Sequence, residues 1–166
     1  LALPGAATPS RVALRVTLDG APARGSVQRY TVASVLVDRG ELVEGQISTM
    51  APAVGEGRIQ LRIARGDGAF GIDVLRSFAN DEQLEFELHT ASLRGRVLTP
   101  RAERSRLTWV WKDPRGATCD QRIRVAEDGT FVLPSILAGY AELRAGDAVV
   151  ATMSAAPGEE ATVDVP

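Results

Sequence analysis

Apolar and polar residues alternate along several segments of the chain, and this period of two predicts β-strands. In residues 11–18 every second side chain is valine or leucine, and the positions between them carry arginine, alanine or threonine. Residues 57–63 and 84–88 alternate in the same way. No window has the i, i+3, i+4 spacing of an amphipathic helix over a helical length. The sequence therefore predicts an all-β chain with little or no helix.

Turn-forming residues separate the predicted strands at intervals of about 8 to 12 residues, which is the spacing found in small β-sandwich domains. Sixteen glycines and nine prolines supply many of these breaks. The predicted turns include Asp19-Gly20, Asp38-Arg39-Gly40, Asn80-Asp81-Glu82, Asp113-Pro114-Arg115-Gly116 and Gly146-Asp147. These regularly spaced turns indicate a Greek-key β-sandwich architecture.

The two halves of the sequence share an internal repeat. Residues 57–62 and 139–144 both read Gly, outward residue, inward apolar residue, Gln or Glu, Leu, Arg, and they lie 82 positions apart. Near the starts of the halves, Val16 and Val97 are 81 positions apart, and the closing strands of the halves also match. Three landmarks in the same order at a nearly constant offset favour a duplicated unit.

The repeat predicts two tandem small β-sandwich domains, residues 11–90 and residues 91–166. Residues 1–10 are small residues and prolines without periodicity, so we expect a linker there. A single larger sandwich is the alternative. A domain of about 80 residues lies at the lower end of the self-sufficient range, so both divisions of the chain fit its length.

Composition and charge restrict the class of protein. Hydrophobic residues make up 45% and charged residues 24% of the chain, which predicts an ordinary folded globular protein. The net charge is −2, and a nucleic-acid partner would require clustered cations, so we expect no nucleic-acid binding. No apolar run approaches the roughly 20 residues of a membrane helix, so we expect no membrane insertion. Because the chain begins with leucine and shows no signal peptide, we expect a fragment of a longer or processed protein.

Candidates for catalysis are few. The chain has one histidine, His89, and one cysteine, Cys119, so it can form no intrachain disulfide and no His-rich metal site. It contains no nucleophile elbow, phosphate-binding loop, dinucleotide fingerprint or EF-hand loop. The sequence therefore predicts no catalytic residue, no cofactor and no metal. His89 follows the strand 84–88 on the side of its glutamates, and we expect it to be exposed.

Two tryptophans are the candidate contact residues. Trp109 and Trp111 are two positions apart in a predicted strand and must face the same side of it. They share that side with Leu107, which favours a place in the core. If the side faces solvent instead, the two rings form a flat aromatic platform that, with Tyr140, could stack on sugars or contact a partner.

Residues 127–144 resemble a family signature. Asp128-Gly129 predicts a turn, Phe131 begins a short strand that we expect Pro134 to end, and Gly139 begins the next strand. This segment resembles the pattern DG-T-F-x-L … G-x-Y-x-L-x of carboxypeptidase regulatory-like domains, which are small transthyretin-like β-sandwiches. The resemblance covers residues 93–165 and extends to the first half only through the repeat.

The resemblance implies both a fold and a role. Such domains are transthyretin-like or immunoglobulin-like sandwiches and are usually non-catalytic parts of exported proteins. They imply a spacer or protein-binding module of a larger bacterial extracytoplasmic protein, which is periplasmic, cell-surface or secreted. Its partners would be neighbouring domains of the same polypeptide or another surface protein. The alternative is a carbohydrate-binding module, in which Trp109 and Trp111 would contact a glycan.

Overall fold

A computed structural model describes residues 11–31, 35–50, 56–66, 68–79, 81–99 and 106–166. These residues form fifteen β-strands and no helix, so the prediction of an all-β sandwich protein is confirmed. No helix in the described ranges could span a membrane. The predicted linker, residues 1–10, lies outside the described residues.

The first half contains eight strands, and the alternating segments 11–18, 57–63 and 84–88 lie in three of them. The eight strands are β1 (Arg11–Leu18), β2 (Ala21–Pro22), β3 (Gly25–Tyr30), β4 (Leu36–Glu41), β5 (Gln46–Met50), β6 (Glu56–Arg65), β7 (Gly68–Ser77) and β8 (Gln83–Leu88). The second half contains seven. They are β9 (Thr90–Val97), β10 (Arg106–Asp113), β11 (Ala117–Arg124), β12 (Thr130–Leu137), β13 (Gly139–Ala145), β14 (Ala148–Ala155) and β15 (Glu160–Val165).

The two halves have the same strand order, with β2 as an addition in the first. In the first half, β1 pairs with β5 antiparallel and with β8 parallel. In the second half, β9 pairs with β12 antiparallel and with β15 parallel. The facing layers run β4-β3-β6-β7 and β11-β10-β13-β14. The chain is therefore duplicated in topology, whereas its division into two domains that fold separately stays a prediction.

The register of the repeat differs from the predicted one at its start. Leu14 of β1 lies opposite Leu84, and Leu93 of β9 lies opposite Ala161, the corresponding residue of the closing strand. Val16 therefore matches Gly95 rather than Val97. Glycine replaces valine there because the Phe131 ring packs onto its backbone, leaving no room for a Cβ.

The core is one continuous cluster that runs through both halves. Side chains from the inner faces of the facing sheets fill it, as the alternation predicts. Its fully buried members include Leu14, Ile59, Leu61, Phe70 and Phe86 in the first half and Leu93, Leu107, Trp109, Ile136 and Leu137 in the second.

Two predicted breaks are wrong. Asp38-Arg39-Gly40 lies within β4, and the turn comes later, at Glu44-Gly45, where both residues have positive φ angles of 50° and 73°. The Cδ1 atom of Ile47 lies against Gly40, 2.5 Å from the position that an added Cβ would take. Pro134 does not end β12, which continues to Leu137 past a register shift. A proline is tolerated there because β12 is an outer strand of its sheet.

Candidate functional site

The predicted contact residues do not form a surface. Trp109 and Trp111 are 0% and 4% exposed and belong to the core. Strand β10 is paired on both sides, and the Trp111 Nε1 atom donates a hydrogen bond of 2.9 Å to the carbonyl of Ala138. The core interpretation of these residues is therefore confirmed. The alternative, an exposed platform of the two tryptophans, is wrong, because neither ring faces solvent.

Tyr140 is the one predicted contact residue that is exposed, at 46%. It lies in β13 opposite Ser154 of β14. Because neighbouring residues of a strand point to opposite sides, Tyr140 faces away from the core that the adjacent Ala141 enters. The structure thus separates Tyr140 from the two tryptophans, and the three residues cannot act as one platform.

The single histidine and the single cysteine are not arranged for chemistry. His89 is only half-buried rather than fully exposed, and its Nε2 atom lies 3.5 Å from the Glu87 carboxylate. Cys119 is buried, and burial, with a smaller effect of the Asp120 carboxylate, raises the pKa of its thiol to about 12. A thiol with this pKa stays protonated and unreactive. Within the described ranges, no cluster of metal-ligating side chains occurs.

The most distinctive arrangement is the junction of the two halves. Residues 72–74 of β7 pair antiparallel with residues 117–119 of β11. This short ladder joins two four-stranded layers into one eight-stranded sheet. Ile72, Val74, Ala117 and Cys119 are at most 1% exposed, so each points into the shared core. The residues between them, Asp73 and Thr118, lie on the outer face.

The turn between β10 and β11 attaches the second half to a further strand of the first. Arg115 in this turn donates a hydrogen bond from Nη1 to the Glu85 carbonyl in β8. Its guanidinium carbon lies 4.6 Å from the centroid of the Phe86 ring. Asp113 holds the arginine in place through two hydrogen bonds of 2.8 Å from Nε and Nη2. The turn therefore occupies part of the free edge of β8.

Two more polar contacts cross between the halves. The Arg65 guanidinium donates a hydrogen bond of 2.8 Å to the Ser135 carbonyl. At the connection of the halves, the Asp19 carboxylate accepts hydrogen bonds from the backbone nitrogen and the hydroxyl of Thr90, at 2.8 and 2.7 Å. The halves are thus joined by a ladder, by the Asp113–Arg115 pair and by contacts on either side of it.

The Asp113–Arg115 pair should make stability depend on pH. Hydrogen bonds from Arg115 hold the pKa of Asp113 below its ordinary value of 3.8. A carboxyl whose pKa is lowered on folding stabilises the protein above its ordinary pKa, and this contribution is lost as the pH falls through the lowered value. We expect Asp113→Asn to cost at most about 1 kcal/mol at pH 7, because Arg115 is partly exposed. Urea titrations should show a smaller cost at about pH 2, and equal costs at both pH values would contradict this assignment.

Arg29 is a buried charge that the sequence analysis did not identify. It is 4% exposed, and its Nε and Nη1 atoms have no hydrogen-bond partner in the described part of the chain. Burial lowers the pKa of its guanidinium, although the charge of Asp38 opposite it in β4 acts in the other direction. Its position in β3, two residues after the buried Val27, is the signal that could have revealed it.

Removing the charges of Arg29 and Asp38 together, in the double variant Arg29→Met/Asp38→Asn, should leave stability unchanged or raise it. The strand register matches Arg29 to Trp111 of the second half, which shows that the fold accepts an apolar side chain at this position. Methionine removes the desolvated guanidinium and keeps much of its volume, and asparagine removes the opposing charge while keeping an acceptor for the Thr49 hydroxyl. Replacing both members of a buried charge pair is neutral or stabilising by about 1 to 4 kcal/mol, whereas Arg29→Met alone would leave Asp38 without its partner charge. Chemical denaturation of the double variant measures the effect. The exposed Arg62→Met is the matched control, expected within about 0.5 kcal/mol of the parent.

A substantial loss of stability in Arg29→Met/Asp38→Asn, with Arg62→Met unchanged, would contradict the interpretation of the Arg29 and Asp38 charges as a net cost. It would mean instead that the charge pair stabilises the fold.

No protein-family model and no curated protein matches the sequence. Among solved structures, a streptococcal ancillary pilin aligns with 96% of this chain at 9% identity and a TM-score of 0.37, over 63% of its own length. The TIE protein of Bacillus anthracis aligns with 94% at 12% identity and a TM-score of 0.35, over 34% of its length. Putative polysaccharide binding proteins of Bacteroides thetaiotaomicron align over 87% of this chain and 80% of theirs, at 7% identity and a TM-score of 0.35.

The chain thus spans about a third of the Bacillus protein and less than two thirds of the pilin. At such TM-scores a likeness does not define a shared fold in detail. What the structure itself defines is the class: an all-β protein of two topologically equivalent β-sandwich halves that share one sheet.

Proposed function

We propose that this chain is a non-catalytic spacer and interaction module of a larger bacterial extracytoplasmic protein. The observation that carries the proposal is the β7·β11 ladder, which joins the two halves into one sheet. Two sandwiches tethered by a linker alone would move freely, whereas a shared sheet and a continuous core restrict their relative motion. A module of this kind sets a fixed distance and direction between whatever is attached to it.

The extracytoplasmic location and the family assignment rest on the resemblance to carboxypeptidase regulatory-like domains. That resemblance concerns residues 93–165, and the equal strand order of the halves supports extending it to residues 11–90. On this basis we divide the chain into domains 11–90 and 91–166. The proposed partners are neighbouring domains of the same polypeptide or another surface protein.

A distance measurement between spin labels tests the spacer function. Arg39→Cys in β4 and Ser154→Cys in β14 place two exposed labels on the outermost strands of the eight-stranded sheet, in a Cys119→Ala background. Seven strand spacings predict a separation of about 34 Å. A dilute sample should give a single narrow distribution near this value. A broad distribution would show that the halves move independently and would overturn the proposed spacer.

The carbohydrate alternative makes a different prediction. With both tryptophans buried, any glycan contact would have to use Tyr140 and its polar neighbours. A glycan array with the parent chain and with Tyr140→Ala tests this alternative, and binding that Tyr140→Ala abolishes would favour it. Detection of hydrolytic or transfer activity in the purified chain would refute the non-catalytic assignment.

A further inference from the structure

The junction of the halves uses two strands whose equivalents lie at the outer edges of the same sheet. The eight-stranded sheet runs β14-β13-β10-β11-β7-β6-β3-β4, and within it β7 and β11 meet at the centre. The common topology matches β14 to β7 and β4 to β11. Each end of the sheet therefore presents the strand that, in the other half, already forms the junction.

Residue pairing fixes the match on the β14 side. Gln60 and Glu142 occupy the same position of the repeated Gly-x-x-(Gln/Glu)-Leu-Arg segment. Gln60 lies opposite Asp73 of β7, and Glu142 lies opposite Thr152 of β14. Thr152, on the free edge of β14, therefore corresponds to Asp73, which lies in the junction.

Residue pairing also fixes the match on the β4 side. Arg29 and Trp111 are equivalent, and they lie opposite Asp38 and Cys119 respectively. One pair further along, Tyr30 lies opposite Leu36, and Lys112 lies opposite Thr118. Leu36 and Asp38 of β4 therefore correspond to Thr118 and Cys119 of β11, with Val37 as an extra residue at a register shift.

The β14 edge has the character of an interface. The eight residues of β14, Ala148–Ala155, include no charged residue, proline or glycine, and Val149 is 47% exposed. Outer strands of soluble proteins usually carry charges or breaks that prevent edge-to-edge pairing. The outer strand β15, by contrast, carries Glu160 and Asp164. The other edge, β4, carries Asp38, Arg39 and Glu41, and its apolar part is Leu36 and Val37, which are 46% and 40% exposed.

We propose that β14 of one chain pairs with β4 of a second copy of this chain and repeats the β7·β11 junction between molecules. In the junction Thr118 lies opposite Asp73, so Leu36 of one copy lies opposite Thr152 of the next. The contact is head-to-tail, because each copy contributes a different edge, and it leaves a free edge at either end. Head-to-tail contacts that do not close into a ring produce open linear assemblies. This assembly is separate from the spacer function and does not depend on it.

The intermolecular contact should be weak, because it lacks the covalent connection that holds the internal junction together. It also covers the Asp38 carboxylate, which occupies the position of Cys119 in the internal junction and costs free energy to desolvate. We expect sedimentation velocity to show an average mass that rises with concentration and passes beyond that of a dimer. A monomeric mass at every concentration up to about 1 mM would overturn the proposal.

Two lysine substitutions distinguish this contact from a symmetric one. Leu36→Lys blocks only the β4 edge and Thr152→Lys only the β14 edge, and both positions are exposed, so both variants should fold. Each variant alone should associate at least tenfold more weakly than the parent. An equimolar mixture should form dimers and nothing larger, because only one pair of intact edges remains.

Thr162→Lys in the outer strand β15 is the matched control and should associate like the parent. Thermal melts of all three variants verify that they are folded. A symmetric dimer through β14 alone would leave Leu36→Lys associating like the parent, and that result would overturn the head-to-tail contact. Failure of the mixed variants to form dimers would overturn it as well.

Discussion

Replacing Trp109 by alanine is expected to lower the free energy of unfolding by about 3 to 5 kcal/mol. The side chain is fully buried in β10, a strand paired with β11 on one side and β13 on the other. Removing it leaves a cavity that two ordered neighbouring strands cannot readily close, and the lost burial and the cavity both add to the cost. Urea denaturation followed by circular dichroism measures the change.

Tyr140→Ala is the control for this prediction, since Tyr140 is also a large aromatic residue of the second half but lies on the outer face. We expect its effect to stay within about 0.5 kcal/mol. Equal small losses in the two variants would contradict the core position of Trp109 and revive the aromatic platform.

Replacing Cys119 by aspartate should destabilise the protein by about 3 to 5 kcal/mol at neutral pH, the cost of an unpaired buried charge. Cys119 is 1% exposed and lies opposite Ile72 across the junction. Its counterpart in the first half is Asp38, a half-buried residue of the outer strand β4. This position of the repeat thus carries a carboxylate in the outer strand β4 and a thiol in β11, whose edge is covered by β7.

The pH dependence of Cys119→Asp separates the effect of charge from that of shape. Burial would raise the pKa of the new carboxyl, so its cost should be largest above that raised pKa and should shrink as the pH falls below it. Cys119→Ala removes the thiol without adding a charge, and its smaller cost of about 1 kcal/mol should not change in this way. A pH-independent loss in Cys119→Asp would contradict the predicted burial of this position.

The alternation of residues was sufficient to predict most strands, because a half-buried strand places every second side chain in the core. It also assigned Trp109 and Trp111 to the core through their shared face with Leu107. It failed at Asp38-Arg39-Gly40, where turn-forming residues lie within β4, opposite Arg29, Gln28 and Val27 of β3. The turn propensity of three residues does not reveal that pairing with another strand will hold them extended.

The junction could not be predicted for a similar reason. In residues 72–74 and 117–119, apolar and polar side chains alternate as in any half-buried strand. Neither segment has a feature from which its pairing with the other could be predicted. Arg115 likewise looked like an ordinary turn residue, and its contacts with β8 exist only when the halves are docked. The repeat predicted two similar units, but their arrangement depends on tertiary pairing alone.

The Cys119 thiol provides the most direct test of the claim that the two halves form one docked unit. It is the chain's single cysteine and is covered at the junction, so its reaction with a thiol reagent reports separation of β7 and β11. We expect native labelling to be at least about a thousandfold slower than in the unfolded chain, and to accelerate only over the urea range of global unfolding. Rapid labelling in urea concentrations at which the circular dichroism is still native would contradict the account, because it would mean that the halves separate while each remains folded.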